Sequence, residues 1–195
     1  RHLEHLGLAE SVGSGQWVIA KEAEPTLREL GQRNDIIKRM HRALDEQGIA
    51  RGTADYVLAG EAHGSPIIGR LVERGLDNEL VGTAYAVVDG TDGRTHHIRL
   101  PNIEAAGDSA PGSIVELRSF EDARGERRVA LATRSDLSIE AQTTASGATW
   151  LDRELASRQR TVLADDGFGR DVTAALVRRR RWLADQGYAT DLGDG

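Results

Sequence analysis

The sequence predicts an α+β fold in which a small five-stranded β-barrel, of SH3-like or OB-like type, lies between two helical parts. Three observations support this prediction. Residues 66–133 contain five short strand-like segments that turn-forming residues separate. The segments on both sides carry apolar residues at helical spacing instead. The chain has 195 residues, of which 39% are hydrophobic, so it can bury the cores of two or three small modules.

Residues 1–20 are predicted to be the end of a winged-helix module. Apolar residues at helical spacing lead up to Gly7, which stands where a left-handed residue would end a helix, and Leu8 could fold back on that helix. Two strand-like runs around the Gly-Ser-Gly turn at 13–15 then form a hairpin. The first helices of such a module are expected upstream of Arg1.

Residues 21–64 are predicted to be connecting helices and a linker. Pro25 opens a helical stretch, in which Leu27 and Leu30 precede Gly31. Over 34–47 the same stretch carries an apolar stripe formed by Ile36, Ile37, Met40 and Leu44. Gly48 and the apolar residue after it repeat the helix ending seen at the first glycine stop.

Residues 65–140 are predicted to form the barrel. Its five strands are expected over residues 67–73, 83–89, 95–100, 113–119 and 127–132. Strong turn formers occupy 89–93 and 110–112, and a polar loop spans 121–126. One inward-facing apolar side on each short strand is typical of a small closed or partly open barrel.

Residues 148–189 are predicted to form a helical pair. Thr149 and Asp152 have the spacing of an N-terminal capping box, which would start the first helix. A glycine-containing break precedes a second helix over 170–186, and Gly187 ends it like the two earlier helices. The three endings do not follow a fixed period, so they indicate shared cap chemistry rather than an internal repeat.

Composition excludes several kinds of protein. The chain has no cysteine, which rules out disulfides, thiolate metal sites and thiol nucleophiles. No apolar run is long enough to span a membrane and no signal segment opens the chain, so a cytoplasmic location is expected. The net charge of −6 argues against a surface that binds nucleic acid non-specifically, although residues 148–188 carry a net charge of +2. Arginine accounts for every basic residue except Lys21 and Lys38.

His96 and His97 are the most conspicuous candidates for chemistry. Side chains of adjacent residues on a strand point to opposite faces, so the two rings cannot both reach one metal ion from a regular strand. The pattern favours ordinary surface or barrel-rim histidines, and it predicts no catalytic residue, no metal site and no cofactor. The alternative is a stand-alone metal-dependent hydrolase or nuclease that uses both histidines with a nearby carboxylate.

Two clusters are candidates for contact with nucleic acid. If the first helix ends a recognition helix, its basic residues and histidines would lie near a DNA groove, and a residue beside the glycine turn could reach the backbone. The second cluster is the run of four arginines at 178–181, of which at most two can contact the same phosphate because they wrap around a helix. A solvated helix face and an acidic-partner site are the alternatives for that run. The candidate residues are Arg1, His2, His5, Gln16, Arg178, Arg179 and Arg181.

Five sequence runs together resemble one region of a known family. They are HLGLAESVGSGQWVIA, EPTLRELGQRNDIIKRMHRAL, PIIGRLVERGLDNELVGTAYAVVDGTDGRTHHIRLP, GATWLDREL and RRRRWLADQGYA. In this order they resemble the region that follows the nuclease domain in large relaxase/mobilization nucleases of conjugative elements. The resemblance spans nearly the whole chain, and GATWLDREL and VVDGTDGRTHHI are its most specific parts.

The resemblance implies a parent protein that nicks the transfer origin of a plasmid and stays attached to the DNA through a tyrosine. Such a relaxase passes through a type IV secretion channel into the recipient cell. Its nuclease domain is expected upstream of Arg1, and a further segment is expected downstream of Gly195. The chain itself is then expected to be a non-catalytic accessory region. It would position origin DNA, or dock to relaxosome proteins or to the type IV coupling protein, without inserting into a membrane.

Overall fold

The computed structural model of the chain describes residues 2–13, 16–58 and 66–189, apart from the side chain of Arg127. The chain divides into two compact units, Arg1–Arg39 and Met40–Gly195. Helices and two antiparallel or mixed sheets are both present, which confirms the α+β class.

The first unit begins with the predicted order of helix, glycine and hairpin. Helix α1 (His2–His5) is followed by strands β1 (Ala9–Gly13) and β2 (Gln16–Ile19), which pair antiparallel. Gly7 has a φ of 68°, and the Leu8 N–H donates to the carbonyl of Leu3 at 2.8 Å, so the predicted left-handed helix ending is confirmed. The assignment of these elements to a winged helix stays a prediction.

Helix α2 (Ala23–Glu46) runs without a break and crosses the boundary between the units. The helical stretch that Pro25 opens is therefore one helix, which continues through Gly31. A glycine inside a helix costs only about 1 kcal/mol relative to alanine, which the flanking helix formers offset. Helix α2 is followed by Gly48 at a φ of 66°, where the Ile49 N–H donates to the carbonyl of Leu44 at 2.9 Å, and this predicted stop is confirmed.

The second unit contains a six-stranded sheet. Its strands are β3 (Tyr56–Val57), β4 (Ile68–Asn78), β5 (Thr83–Gly90), β6 (Thr95–Leu100), β7 (Ile114–Glu121) and β8 (Arg127–Ser135). Their order across the sheet is β3-β6-β5-β4-β7-β8, and neighbours are antiparallel except for the parallel pair β3 and β6. The five predicted strands are confirmed, and the short β3 was not predicted.

The sheet is open rather than closed. Strands β3 and β8 lie at its two ends, and within the described ranges they do not pair with each other. The expectation of a closed barrel is therefore wrong. Closure depends on strand tilt and register, which alternation along single strands does not determine. The more specific assignment to a partly open SH3-like or OB-like barrel stays a prediction.

Two apolar clusters formed by described residues pack within the second unit. The first cluster contains alternate residues of the strands, including Ala84, Ala86 and Val88 of β5. Alternate side chains of a strand point to the same face of the sheet, so these residues pack on one side of it. The second joins Ile114 of β7 to helices α3 (Ile139–Gln142), α4 (Trp150–Ala156) and α5 (Gly167–Asp185). Its other members are Ile139, Trp150, Leu151, Phe168, Val172 and Ala175.

The predicted start of α4 and the predicted end of α5 are both confirmed. Thr149 accepts a hydrogen bond from the Asp152 N–H, and the Asp152 side chain accepts from the Thr149 N–H, so the predicted capping box is confirmed. After α5, Gly187 has a φ of 74° and the Tyr188 N–H donates to the carbonyl of Leu183 at 2.9 Å. All three predicted glycine stops thus form the same motif.

Gly169 sets how closely α5 approaches the β5–β6 turn. A Cβ on this residue would lie 2.4 Å from the carbonyl oxygen of Thr91 and 2.5 Å from the backbone nitrogen of Ala164. Since both are backbone atoms, Gly169→Ala is expected to lower the free energy of unfolding by about 2 kcal/mol. Urea denaturation measures this. Gly147→Ala, where a Cβ meets nothing within 4 Å, is the control and should change stability little; equal effects of the two substitutions would contradict the close approach.

Candidate functional site

The second unit contains a cleft of about 680 Å³, which we call the arginine cleft. The sheet, the β5–β6 turn, α4 and the segment after α4 all contribute to its walls. The charged lining residues are Asp92, Arg94, His96, Glu116, Arg134, Arg153, Glu154 and Arg160. The apolar lining residues are Val57, Pro66, Ile67, Ile68, Trp150 and Val162. A cleft of this volume, with mixed walls, is of the size that proteins use to bind ligands.

Three of its four arginines have no ion-pair partner among the described residues: Arg94, Arg153 and Arg160. Arg94 and Arg160 are exposed, and Arg153 donates one hydrogen bond to the backbone carbonyl of Arg134 at 2.5 Å. Arg134 differs, because it forms an ion pair with Glu116. The cleft therefore presents guanidinium groups that can still bind an anion.

The carboxylates of the cleft are already engaged. Glu116 accepts from Arg118 as well as from Arg134, at 2.8 and 2.5 Å. Glu154 accepts a hydrogen bond from the backbone N–H of Thr161 at 3.1 Å. Because these contacts offset the negative charges, an anion that enters the cleft meets a more positive surface than the composition of the lining alone suggests.

Asp92 is paired with His96 at one wall. Nε2 of His96 lies 3.0 and 3.1 Å from the two carboxylate oxygens of Asp92, and the Arg94 N–H donates to the same carboxylate at 3.2 Å. Burial would raise the pKa of the Asp92 carboxyl, but the hydrogen bond and charge of His96 and the backbone donors outweigh it and lower that pKa. Asp92 is thus ionised at neutral pH, and it fixes the orientation of the imidazole ring.

The two adjacent histidines lie in different surroundings. His96 lines the arginine cleft, whereas the ring of His97 stacks on Tyr85 with 5.5 Å between ring centroids. The interpretation as surface or rim histidines is wrong, because His96 is 4% exposed and His97 is fully buried. Their strand β6 lies between β5 and β3 in the sheet, and all of its residues except Arg99 are buried, so residues on both of its faces are covered. Across the described ranges, no group of three or more His, Asp or Glu side chains is arranged to hold a metal ion.

The N-terminal candidates lie in the first unit. His2 and His5 are exposed on α1, and Gln16 is exposed at the start of β2. Arg1 lies outside the described residues. These positions are accessible to a partner, and their contact with DNA stays a prediction.

The four-arginine run on α5 divides into two kinds of residue. Arg178, Arg180 and Arg181 are exposed, but Arg179 is only 2% exposed. Arg179 forms two hydrogen bonds to the Asp152 carboxylate, at 2.8 and 2.9 Å. It also donates to the carbonyls of Ala145 and Gly147. The prediction that Arg179 contacts nucleic acid is therefore wrong, because these intramolecular partners occupy its guanidinium group.

Sequence reasoning missed the arginine cleft as a whole. Arg94 follows a hairpin turn, Arg134 ends β8, and Arg153 and Arg160 belong to the helical part, so no local motif joins them. The single usable signal was the capping box, which sets the start of α4 and therefore the position of Arg153 in its last turn. Only the packing of the helices on the sheet brings these residues around one cavity.

Of the comparisons with known proteins, the one with family models gives a match. A model of the family described as protein of unknown function (DUF3363) matches residues 1–124 and 117–195, which together cover the chain. No curated protein and no solved structure matches. In the described part of the chain, no helix has the combination of length and apolar character that a membrane span needs. Since the family model covers the chain from end to end, the protein belongs to the DUF3363 family.

Proposed function

We propose that the chain is a non-catalytic accessory region of a conjugative DNA relaxase, and that it holds DNA of the transfer origin. The resemblance described above supplies the biological setting. The observation that carries the proposal is that exposed arginines without a carboxylate partner in the described structure lie in the arginine cleft and in the four-arginine run of α5: Arg94, Arg153, Arg160, Arg178 and Arg181. Guanidinium groups that remain available for bidentate contacts suit the phosphate backbone of DNA.

The overall net charge of −6 does not oppose this function. Affinity for DNA depends on the cations that replace condensed counterions at the contact surface, rather than on the charge of distant residues. Arg178 and Arg181 lie three residues apart on α5, so they share one exposed helix face. We name these two residues the α5 arginine pair.

Salt-dependent binding to single-stranded and duplex DNA tests the proposal. The chain is expected to bind with an affinity that falls steeply as salt rises. Substituting the α5 arginine pair by alanine should reduce the slope of log affinity against log salt by about 1–2, because each phosphate contact contributes about 0.7–0.9. Fluorescence anisotropy with labelled oligonucleotides measures both quantities.

Arg124→Ala is a suitable control, since Arg124 is exposed on the β7–β8 turn and its side chain has no ion-pair partner in the described structure. It should leave the slope nearly unchanged. A wild-type chain that binds neither form of DNA at low salt would overturn the proposed function.

Docking to a relaxosome protein or to the type IV coupling protein is a second candidate function. It is favoured by the β4–β5 turn, where Leu80 is 98% exposed and Val81 is 72% exposed. Asn78 accepts hydrogen bonds from the N–H groups of both residues, at 2.9 and 3.2 Å, which fixes the turn that presents them. Large aliphatic side chains held outward in this way suit an apolar pocket on a partner.

The alternative of a metal-dependent hydrolase or nuclease built on His96 and His97 has less support. The two rings lie in different surroundings, His96 is bound to Asp92, and His97 is fully buried against Tyr85. Stoichiometric metal that is lost on substituting His97 would favour this alternative over the accessory region.

Two finer structural assignments belong to the same proposal. Residues 1–20 would be the end of a winged-helix module, with His2, His5 and Gln16 near DNA. The sheet of the second unit would be related to the partly open SH3-like or OB-like barrels, of which OB-folds bind single strands.

A further inference from the structure

The walls of the arginine cleft combine cations, apolar surface and hydrogen-bond acceptors. We infer that this cleft binds single-stranded DNA. The inference rests on the proposed function, and it names both the place on the molecule and the form of DNA that is held there.

The cations of the cleft stand on three different elements. Arg94 precedes β6, Arg153 lies on α4, and Arg160 lies in the segment after α4. Groups distributed around one cavity can contact more than one phosphate of a strand that passes through it. A cavity of about 680 Å³ also has room for a longer ligand than a free phosphate, which favours a polyanion.

The apolar part of the lining distinguishes single strands from duplex. The exposed apolar surface of the lining comes from Val162, which is 80% exposed, and from half-buried Ile68, while Ile67 is buried behind the wall. Base faces can pack on such surfaces only when they are not stacked within a double helix. A duplex would offer only its phosphates to this cleft.

The carboxylates of the lining favour nucleic acid over an acidic peptide. An acidic peptide offers the lining carboxylates Asp92, Glu116 and Glu154 mainly its backbone N–H groups, whereas DNA bases also offer amino and imino N–H donors. Each carboxylate can accept about four hydrogen bonds, so these groups retain acceptor capacity for the amino and imino N–H groups of bases. DNA supplies anionic oxygens for the arginines and N–H donors for the carboxylates at once.

Binding of a single strand of about 12 nucleotides, a length typical of single-strand sites, tests the inference. The cleft variant is the double substitution Arg94→Ala with Arg160→Ala. Its control is the double substitution Arg124→Ala with Arg158→Ala, which removes the same charge from exposed residues outside the cleft lining. Arg158 is the closer control, because it lies between the lining residues Ser157 and Gln159. Fluorescence anisotropy at several salt concentrations gives the affinity and the salt slope of each protein.

The cleft variant is expected to bind the single strand at least about tenfold more weakly, with a slope reduced by about 1.4 for two lost phosphate contacts. The control should lose less than about twofold, and duplex of the same length should bind wild type more weakly than the single strand does. Val162→Asp adds a carboxylate at an exposed position and removes no cation, and it should also weaken binding.

Each other result is decisive as well. If wild type binds no DNA, the proposed function fails and the inference fails with it. If wild type binds but the cleft variant matches its control, the proposed function stands and the inference is overturned. Equal affinity for duplex and single strand, or a higher affinity for an acidic peptide than for the oligonucleotide, would also overturn it.

Discussion

Replacing Asp89 with asparagine is expected to lower the free energy of unfolding by about 3–5 kcal/mol, the largest effect of any substitution considered. The Asp89 side chain is fully buried in β5. It accepts two hydrogen bonds from Arg51, at 3.0 and 2.8 Å, and one from Arg70 at 2.8 Å. Asparagine keeps the shape, but it removes the negative charge that offsets two largely buried cations.

The geometry around Asp89 explains why one carboxylate matters to several elements. Arg51 belongs to the segment after α2, and Arg70 to β4. The guanidinium of Arg70 also lies 4.9 Å from the ring centroid of Phe168 at the start of α5. Loss of the Asp89 charge therefore weakens the contact of the sheet with the segment after α2 and, through Arg70, its contact with the start of α5.

Urea denaturation of wild type and variant measures the effect. Glu46→Gln is the control, because its pair with Arg42 is 4.0 Å long and both side chains are about two-thirds exposed. Exposed pairs of this kind contribute less than about 0.5 kcal/mol. A loss for Asp89→Asn as small as that of the control would contradict the assigned role of the buried carboxylate.

The features that the sequence predicted well are those that depend on neighbouring residues. The endings at Gly7, Gly48 and Gly187 each need a glycine and the apolar residue after it, and all three form as expected. The capping box of Thr149 and Asp152 also needs only residues three apart. Strand positions follow from alternation and turn chemistry in the same way.

The features that the sequence did not predict depend on residues far apart along the chain. Arg51 and Asp89 are separated by 38 residues, and Arg179 and Asp152 by 27. The run of arginines concealed one local signal, since Arg179 follows Val172 by seven residues and Ala175 by four, which places it on the buried face of α5. Openness of the sheet and formation of the arginine cleft arise from packing between elements.

Arg179→Met is expected to lower the free energy of unfolding by about 3 kcal/mol. Methionine retains much of the side-chain volume, but it leaves the Asp152 carboxylate without its cation and the Ala145 and Gly147 carbonyls without their donor. It also removes the guanidinium that lies 4.6 Å from the ring centroid of Trp182. Urea denaturation at neutral pH measures the loss.

The pH dependence of stability should change in the same variant. Burial would raise the pKa of Asp152, but its hydrogen bonds to Arg179 and Thr149 and the charge of Arg179 lower it below the ordinary value of 3.8. A carboxyl with a lowered pKa in the folded state stabilises the protein above its ordinary pKa, and this stabilisation is lost as pH falls through the folded value. When the pH falls from neutral to about 3, protonation of Asp152 should therefore lower the free energy of unfolding more in wild type than in the Arg179→Met variant.

Arg178→Met is the matched control, because it makes the same change one residue away at an exposed position. It should alter stability by less than about 0.5 kcal/mol, while it weakens DNA binding through the α5 arginine pair. Arg179→Met should do the reverse when DNA binding is measured on the fraction that remains folded. The two substitutions separate the structural arginine of the run from the arginines available to a partner. Similar losses of stability in both variants would show that the ion pair between Arg179 and Asp152 contributes little to the fold.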